Sequence, residues 1–415
     1  MAPPRSPHPP PHRHPRPRHA RGPVLAFTIA AALTTAVITP LVGPSAPPPA
    51  TDTAPPARLL SRYETAAAGN RINRDCGYSA PLPGRPGHTL WLFCDSLWSG
   101  THRGLTFGAT AATGPYRPGR VPTGLTELPP PPAAPPDRPG DHPPQGMLRT
   151  PPGLLLPPTA PAAPGHLGAP PAPAAPCHIP GTAYSASWIS GAAQRPGTPA
   201  LLLTYTDVCV RGNTISTQGF GLVEYRPATN ALGAQARVFA APAGLPFQHN
   251  LGSPVFAGGH LYLYAAVCDH QVLGTCQGGR VTLARVPADP AAWTDPAAYR
   301  YRTARGWTRD AFQARSLLPG AAPTGVHVAD YTALGKGYAL IEQHGVNGDF
   351  RVWHAPAPTG PWRPGRRGAA PCGGQSGVDL CRAYIGHPEL STPRHLLMSH
   401  YNPADDHISV TAVPW

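Results

Sequence analysis

Five short apolar runs, each closing on a polar side chain, organise this chain. They are TLWLFCD ending at Asp95, ALLLTYTD at Asp207, HLYLYAAVCD at Asp269, GYALIE at Glu342 and HLLMSHYN at Asn402. Each follows a second short run and a turn: GYSAPLPG, AYSASWISG, GSPVFAGG, VADYTALGKG and HPELSTPRH. Short apolar runs bounded by Gly, Pro, Asn and Ser predict strands joined by tight turns, and no stretch between them carries the longer 3.6-residue period of a helix. The polar ends are 112, 62, 73 and 60 residues apart, and the first gap contains a proline-rich stretch at about residues 128–176 that reads as a disordered insertion. A further element recurs after two of the runs, ATGPYRPGR at Ala112 to Arg120 and PTGPWRPGR at Pro358 to Arg366, identical at seven of nine positions. Five units of about sixty residues, each made of short strands, predict an all-β, five-bladed β-propeller over residues 61–415.

A propeller brings equivalent strand ends to one mouth. Asp95, Asp207, Asp269, Glu342 and Asn402 would then ring a single opening, joined by Asp75, His327 and His387 from the partnering strands. These side chains are the candidates for binding a polar ligand. The plain alternative is that each closes its own strand turn. His387 follows Gly386 and reads first as a hydrogen-bonded structural histidine, with an ion or water as the other possibility.

The first hairpin, Arg74 to Ser96, carries the sharpest chemistry. If Cys76 faces Cys94, facing pairs sum to 170 and Asp75 faces Asp95. Facing Cα atoms lie roughly 4.5 to 5.5 Å apart, a span a disulfide bridges, so the cysteines would staple the hairpin while the aspartates share the other face. Two neighbouring carboxylates cannot both ionise freely, so one can serve as an acid beside a base or nucleophile. Asp75 is the expected nucleophile or base and Asp95 the expected acid, with Tyr78 and Trp98 placed to stack on a sugar face. Capping of turns by the two aspartates is the competing explanation.

Composition sets the compartment. Residues 1–22 form a Pro, His and Arg tail, residues 24–42 are free of charge, and a linker at 44–60 follows. A basic flank before an apolar stretch of this length reads as a signal anchor or a signal peptide, with the body extracytoplasmic and either secreted or tethered to the membrane. Eight cysteines suit that compartment, the expected pairs being Cys76–Cys94, Cys177–Cys209, Cys268–Cys276 and Cys372–Cys381. No CxxC occurs, so no zinc site is expected and no cofactor is implied. The net charge of +13 favours anionic surfaces such as cell-wall polymers, and the absence of an interleaved basic and aromatic stripe argues against nucleic acid.

The hairpin RDCGYSAPLPGRPGHTLWLFCDS, with LGSPVFAGGHLYLY, the TGPW element and GHPELSTPRHLLMSHYN, resembles the secreted propellers of the family called domain of unknown function 4185. The likeness runs from about Ile72 to Trp415, the insertion omitted. It implies a propeller in which some members are endo-D-arabinanases whose catalytic pair is the two aspartates of this hairpin; by position these are Asp75 and Asp95. The family pattern has glycines where Cys76 and Cys94 stand, which supports their facing. A more distant resemblance is to the five-bladed furanosidases, which place an acid near the start of a strand like LGSPVF; Gly252 and Ser253 stand there, so their mechanism does not carry over. The expected function is an extracytoplasmic glycoside hydrolase acting on a furanoside polymer such as cell-wall arabinan, with a non-catalytic glycan- or protein-binding propeller as the alternative.

Overall fold

The computed structural model of the chain describes residues 58–62, 71–99, 104–106, 108–122, 124–128, 154–156, 183–211, 214–240, 249–272, 275–293, 295–372, 381–402 and 407–415. The expected tail, apolar segment and most of the linker lie outside these residues, as does Cys177. Among the described residues no helix is long and apolar enough to cross a membrane.

The strands form five antiparallel blades. Blade 1 contains Arg71–Pro81, His88–Ser99, Ala109–Pro115 and Thr126–Glu127, and blade 2 contains Ala183–Gln194, Leu201–Arg211, Thr214–Arg226 and Ala231–Ala240. Blade 3 contains His249–Ala257, His260–Cys268, Gly279–Pro287 and Arg300–Arg302, with Trp307–Thr308 at its edge. Blade 4 contains Gly325–Asp330, Tyr338–Gln343, Asp349–Ala355 and Arg363–Ala369. Blade 5 contains Arg382–Gly386, His395–Asn402 and His407–Pro414, and its outer strand is Arg58–Arg62 from the start of the fold. Arg58 lies opposite Ala412 and Arg62 opposite Ser409, so one sheet unites the first and last strands and closes the ring. This strand begins inside the stretch that reads as linker. Within the proline-rich insertion, Leu154–Leu156 pairs with Ala109 and Thr110 of blade 1.

The apolar runs are the second strands of the blades, and their packing explains their sequence. Alternate residues of a strand point to opposite faces. In blade 1, Leu90 and Leu92 enter the core shared with Leu201, Leu203 and Tyr205 of blade 2, while Trp91 and Phe93 enter the core shared with Leu397 and Val410 of blade 5. Leu261 and Leu263 face blade 2, whereas Tyr262 and Tyr264 face Leu340 and Trp353 of blade 4. Ile341 and Val352 of blade 4 meet Leu396 and Met398 of blade 5. A strand sandwiched between two such cores is apolar on both faces and reads as an unbroken run. Each fully buried large side chain contributes about 1.5–3 kcal/mol, so the inter-blade cores dominate the ring's stability.

The innermost strands touch in the closed order of blades 1 to 5 and back to 1. All second strands run toward one end, here the mouth, and the turns from first to second strand lie at the other end, the base. Asp52–Trp415 forms one compact unit that contains all five blades and the closing strand, so this fragment carries the complete fold. Among the described residues the disulfides Cys76–Cys94, Cys268–Cys276 and Cys372–Cys381, with Cα atoms 5.4, 5.5 and 6.0 Å apart, reinforce the mouth end.

Candidate functional site

The first hairpin keeps the expected register on both sides of its disulfide. Arg74 faces Ser96 and Tyr78 faces Leu92, both pairs summing to 170, but between them the register slips and Cys76 faces Phe93 rather than Cys94. The cause is a bulge: Cys76 has φ +70° and Gly77 φ +100°. Gly77 suits this place because a Cβ there would lie 2.9 Å from Ile408 Cδ1. A bulge bends its strand and re-aims the adjacent side chains. Here Asp75, next to the bulge, is bonded toward blade 5, while Asp95 is bonded toward blade 2.

Asp75 is 23 % exposed and held on both oxygens. Its Oδ1 accepts a hydrogen bond from the Cys76 N–H at 2.7 Å, and its Oδ2 accepts one from Arg382 Nε at 2.9 Å. Arg382 Nη2 lies 2.8 Å from the same oxygen. Asp95 Oδ1 accepts the indole N–H of Trp188 at 2.8 Å and the Gly108 N–H at 2.9 Å. Arg382 is the ion-pair partner of Asp75. Partial desolvation works against the charge of Arg382, but the charge and hydrogen bond of Asp75, then Tyr401 and Asp95, outweigh it, and its pKa is raised. The guanidinium also lies over the Tyr401 ring, 4.2 Å from the centroid.

Tyr78 closes the axis beneath this pair. Its ring stands 6.0 Å from that of His327, in a blade that does not adjoin blade 1. Burial first, and the Asp75 charge second, push the Tyr78 phenol well above its ordinary pKa. Farther from the mouth, His327 Nδ1 accepts the Gly386 N–H at 3.1 Å, and His387 Nδ1 lies 2.6 Å from Ser79 Oγ. Burial lowers the pKa of both imidazoles to about 3, with the His327 charge adding to the effect on His387. Ser79 also donates to Glu389, whose carboxyl burial pushes upward.

The remaining expected binding residues do not share this environment. Asp207 is buried and accepts from Ser187 Oγ at 2.5 Å, across the first two strands of blade 2. The Asp269 side chain is 52 % exposed and lies 3.5 Å from Arg280. Glu342 is 0 % exposed: burial raises its pKa, but His344, the Trp353 indole N–H at 2.7 Å and the Ala322 N–H at 3.1 Å outweigh burial and lower it. Asn402 is buried at the mouth end of its strand, opposite His407. Trp98 faces Ile72 near the mouth end of the second strand, and its side chain lies outside the described residues. Among the described residues no group of three or more His, Cys, Asp or Glu could hold a metal ion.

Sequence reasoning passed over Arg382, Tyr401 and Trp188. Arg382 directly follows Cys381, and Trp188 sits within AYSASWISG, the counterpart in blade 2 of the run that carries Tyr78. Equivalence between repeats was the available signal for Trp188; nothing in sequence marked Arg382.

Together the fold and site define an all-β, five-bladed propeller whose disulfide-framed mouth holds two carboxylates, one paired with an arginine of blade 5 and the other bonded to a tryptophan of blade 2. No protein-family model and no curated protein matches the chain. Solved structures similar to it include a Bacteroides ovatus protein provisionally described as a hydrolase, at 16% identity over 86% of this chain and 87% of that one, with TM-score 0.48. A family 117 glycoside hydrolase of Zobellia galactanivorans matches at 10% identity over 86% and 89%, with TM-score 0.42. A GH43_1 enzyme from Xanthomonas citri matches at 12% identity over 87% and 90%, with TM-score 0.42.

Proposed function

We propose that the chain is an extracytoplasmic glycoside hydrolase that cuts a furanoside polymer, cell-wall arabinan first among candidates, with Asp75 and Asp95 as its carboxyl pair. The observation that carries this reading is that the two acids, on adjoining strands of one stapled hairpin, are each fixed by a neighbouring blade. Glycoside hydrolysis needs one carboxyl group to protonate the leaving oxygen and another to act as nucleophile or base. The ion pair with Arg382 suits Asp75 to the second task, which an anion performs. Asp95, held through Oδ1 by the Trp188 and Gly108 N–H groups, is assigned the acid role. Tyr78, partly exposed beside Asp75, forms the floor on which a sugar ring rests.

The same ion pair favours a second reading. A carboxylate bonded on both oxygens is also what a purely structural hairpin would show, and the mouth would then bind a glycan without cleaving it. Incubation of the Asp52–Trp415 fragment with arabinan, galactan and xylan, followed by mass spectrometry of released oligosaccharides, separates the two. Release from one polymer supports the enzyme; binding to a polymer without release supports the non-catalytic propeller.

A further inference from the structure

The base of the propeller carries a cluster of cations on one side. Across blades 1, 5 and 4 it presents Arg85, Arg117, Arg120, Arg394 and Arg363, all exposed, and the half-exposed Lys336, the only lysine of the chain. The segments that carry them are continuous. The Tyr116 N–H donates to the Gly87 carbonyl at 2.9 Å, joining the Arg85 turn to the loop of Arg117 and Arg120. The Gly119 N–H donates to the Leu390 carbonyl at 2.7 Å, joining that loop to blade 5. Trp415 bonds the Arg394 and Thr392 carbonyls, at 3.3 and 2.7 Å, and its ring lies 5.8 Å from Lys336 Nζ. His354, 5.8 Å from the Trp415 ring, faces Arg363 across blade 4.

Counter-charges are scarce in this sector. Among the described residues, Asp330 is its one exposed acid, and Asp330 Oδ1 already accepts the Thr332 N–H at 2.8 Å. Glu389 turns inward to Ser79 and Thr89. The other acids of the base, Glu224, Asp289 and Asp295, belong to blades 2 and 3, where Glu224 pairs with Arg195 and Arg226 and the two aspartates cap local turns.

The polypeptide enters the fold on this same side. Arg58 lies opposite Ala412, toward the base, and Arg62 opposite Ser409, toward the mouth. The point at which the chain joins the fold, Arg58, is therefore on the basic side.

We propose that the base of blades 1, 5 and 4 docks on an anionic phospholipid surface, with the mouth directed away from it. Cationic side chains near such a surface are each worth about 1 kcal/mol, an attraction that fades within a Debye length, and a half-buried tryptophan beside them suits the headgroup region. Lipid is favoured over a soluble polyanion because the chain enters on the basic side. The inference is independent of any catalytic role for the mouth.

The test is co-sedimentation of the Asp52–Trp415 fragment with vesicles of phosphatidylcholine alone or mixed with phosphatidylglycerol, with polyglutamate as the soluble comparison. Binding is expected to the anionic vesicles only and to fall as salt rises. Each of Arg117→Ala, Arg120→Ala, Arg363→Ala and Arg394→Ala should lower partitioning roughly fivefold. Arg305→Ala, exposed in the Thr303–Gly306 turn of blade 3, and Arg367→Ala, exposed on the outer strand of blade 4, both away from the base, should leave it unchanged. No vesicle binding at low salt, equal loss from the Arg305 and Arg367 variants, or capture of polyglutamate without capture of vesicles would overturn the proposal, the last in favour of an acidic polymer.

Discussion

Arg382 grips a single oxygen of Asp75: Nε lies 2.9 Å and Nη2 2.8 Å from Oδ2, across the seam between blades 5 and 1. The seam is where the ring closes, so the geometry of the proposed nucleophile or base depends on the last blade as much as on its own hairpin. Arg382→Ala should lower kcat on the cleaved polymer by roughly a hundredfold while the far-ultraviolet circular dichroism is retained, because positioned electrostatic partners are worth that order. Arg382→Lys restores the charge without the two-nitrogen grip and should recover only part of the loss. Unchanged kcat in Arg382→Ala would remove Arg382 from the site.

The Cys76–Cys94 disulfide spans a sequence separation of 18. Closing a loop of that size stabilises by about 3 kcal/mol in the chain-entropy description. The Cys76→Ser, Cys94→Ser double variant should lose stability of that order in urea unfolding. It should also lose activity beyond the loss of folded protein, since the bulge that aims Asp75 is built on Cys76 itself.

Gly386 is a packing requirement of the axis. A Cβ there would lie 2.2 Å from Tyr331 Oη and 3.0 Å from Ile341 Cδ1. Overpacking of this kind costs about 1–3 kcal/mol, so Gly386→Ala should shift the urea midpoint down. The buried Tyr331 hydroxyl has no hydrogen-bond partner among the described residues, so Tyr331→Phe should be nearly neutral and should recover part of the loss in the double variant. Strict additivity of the two changes would contradict this packing.

The axial histidines set an acid limit. Their folded pKa values, lowered to about 3, lie below the unfolded value of about 6.5, so the folded state favours neutral imidazoles. The stability they contribute is present above pH 6.5 and is lost as pH falls toward 3, at about 1.4 kcal/mol per pH unit for each histidine. Glu389, shifted upward by burial, acts in the opposite sense as pH rises through its folded value. Urea unfolding between pH 7 and 4 should show the histidine slope, and His387→Gln should reduce it. A flat profile would contradict burial of neutral histidines at the axis.

Much of the fold was legible because its physics is local and periodic. A second strand packed on both faces writes an unbroken apolar run, and five such runs with matching turns leave few architectures open. The facing of the hairpin was legible to within one slip, since cysteine and aspartate parity set it on both flanks. The slip itself was not, because Cys76 adopts a positive φ that residue type alone does not announce. Equivalent positions also proved chemically unequal. Glu342 and Asp269 occupy corresponding strand ends, yet Trp353 and His344 enclose the first while the second meets Arg280 at the surface. Arg382 was illegible for a different reason: its partnership with Asp75 joins residues 307 positions apart across the closing seam.

The most direct measurement of the central claim is turnover of arabinan by the Asp52–Trp415 fragment beside its Asp75→Asn and Asp95→Asn variants, with binding of the same polymer measured in parallel. Loss of turnover by at least about a thousandfold in both variants, with the fold and polymer binding retained, is the predicted result. Turnover that survives in either variant would contradict the paired-carboxylate site.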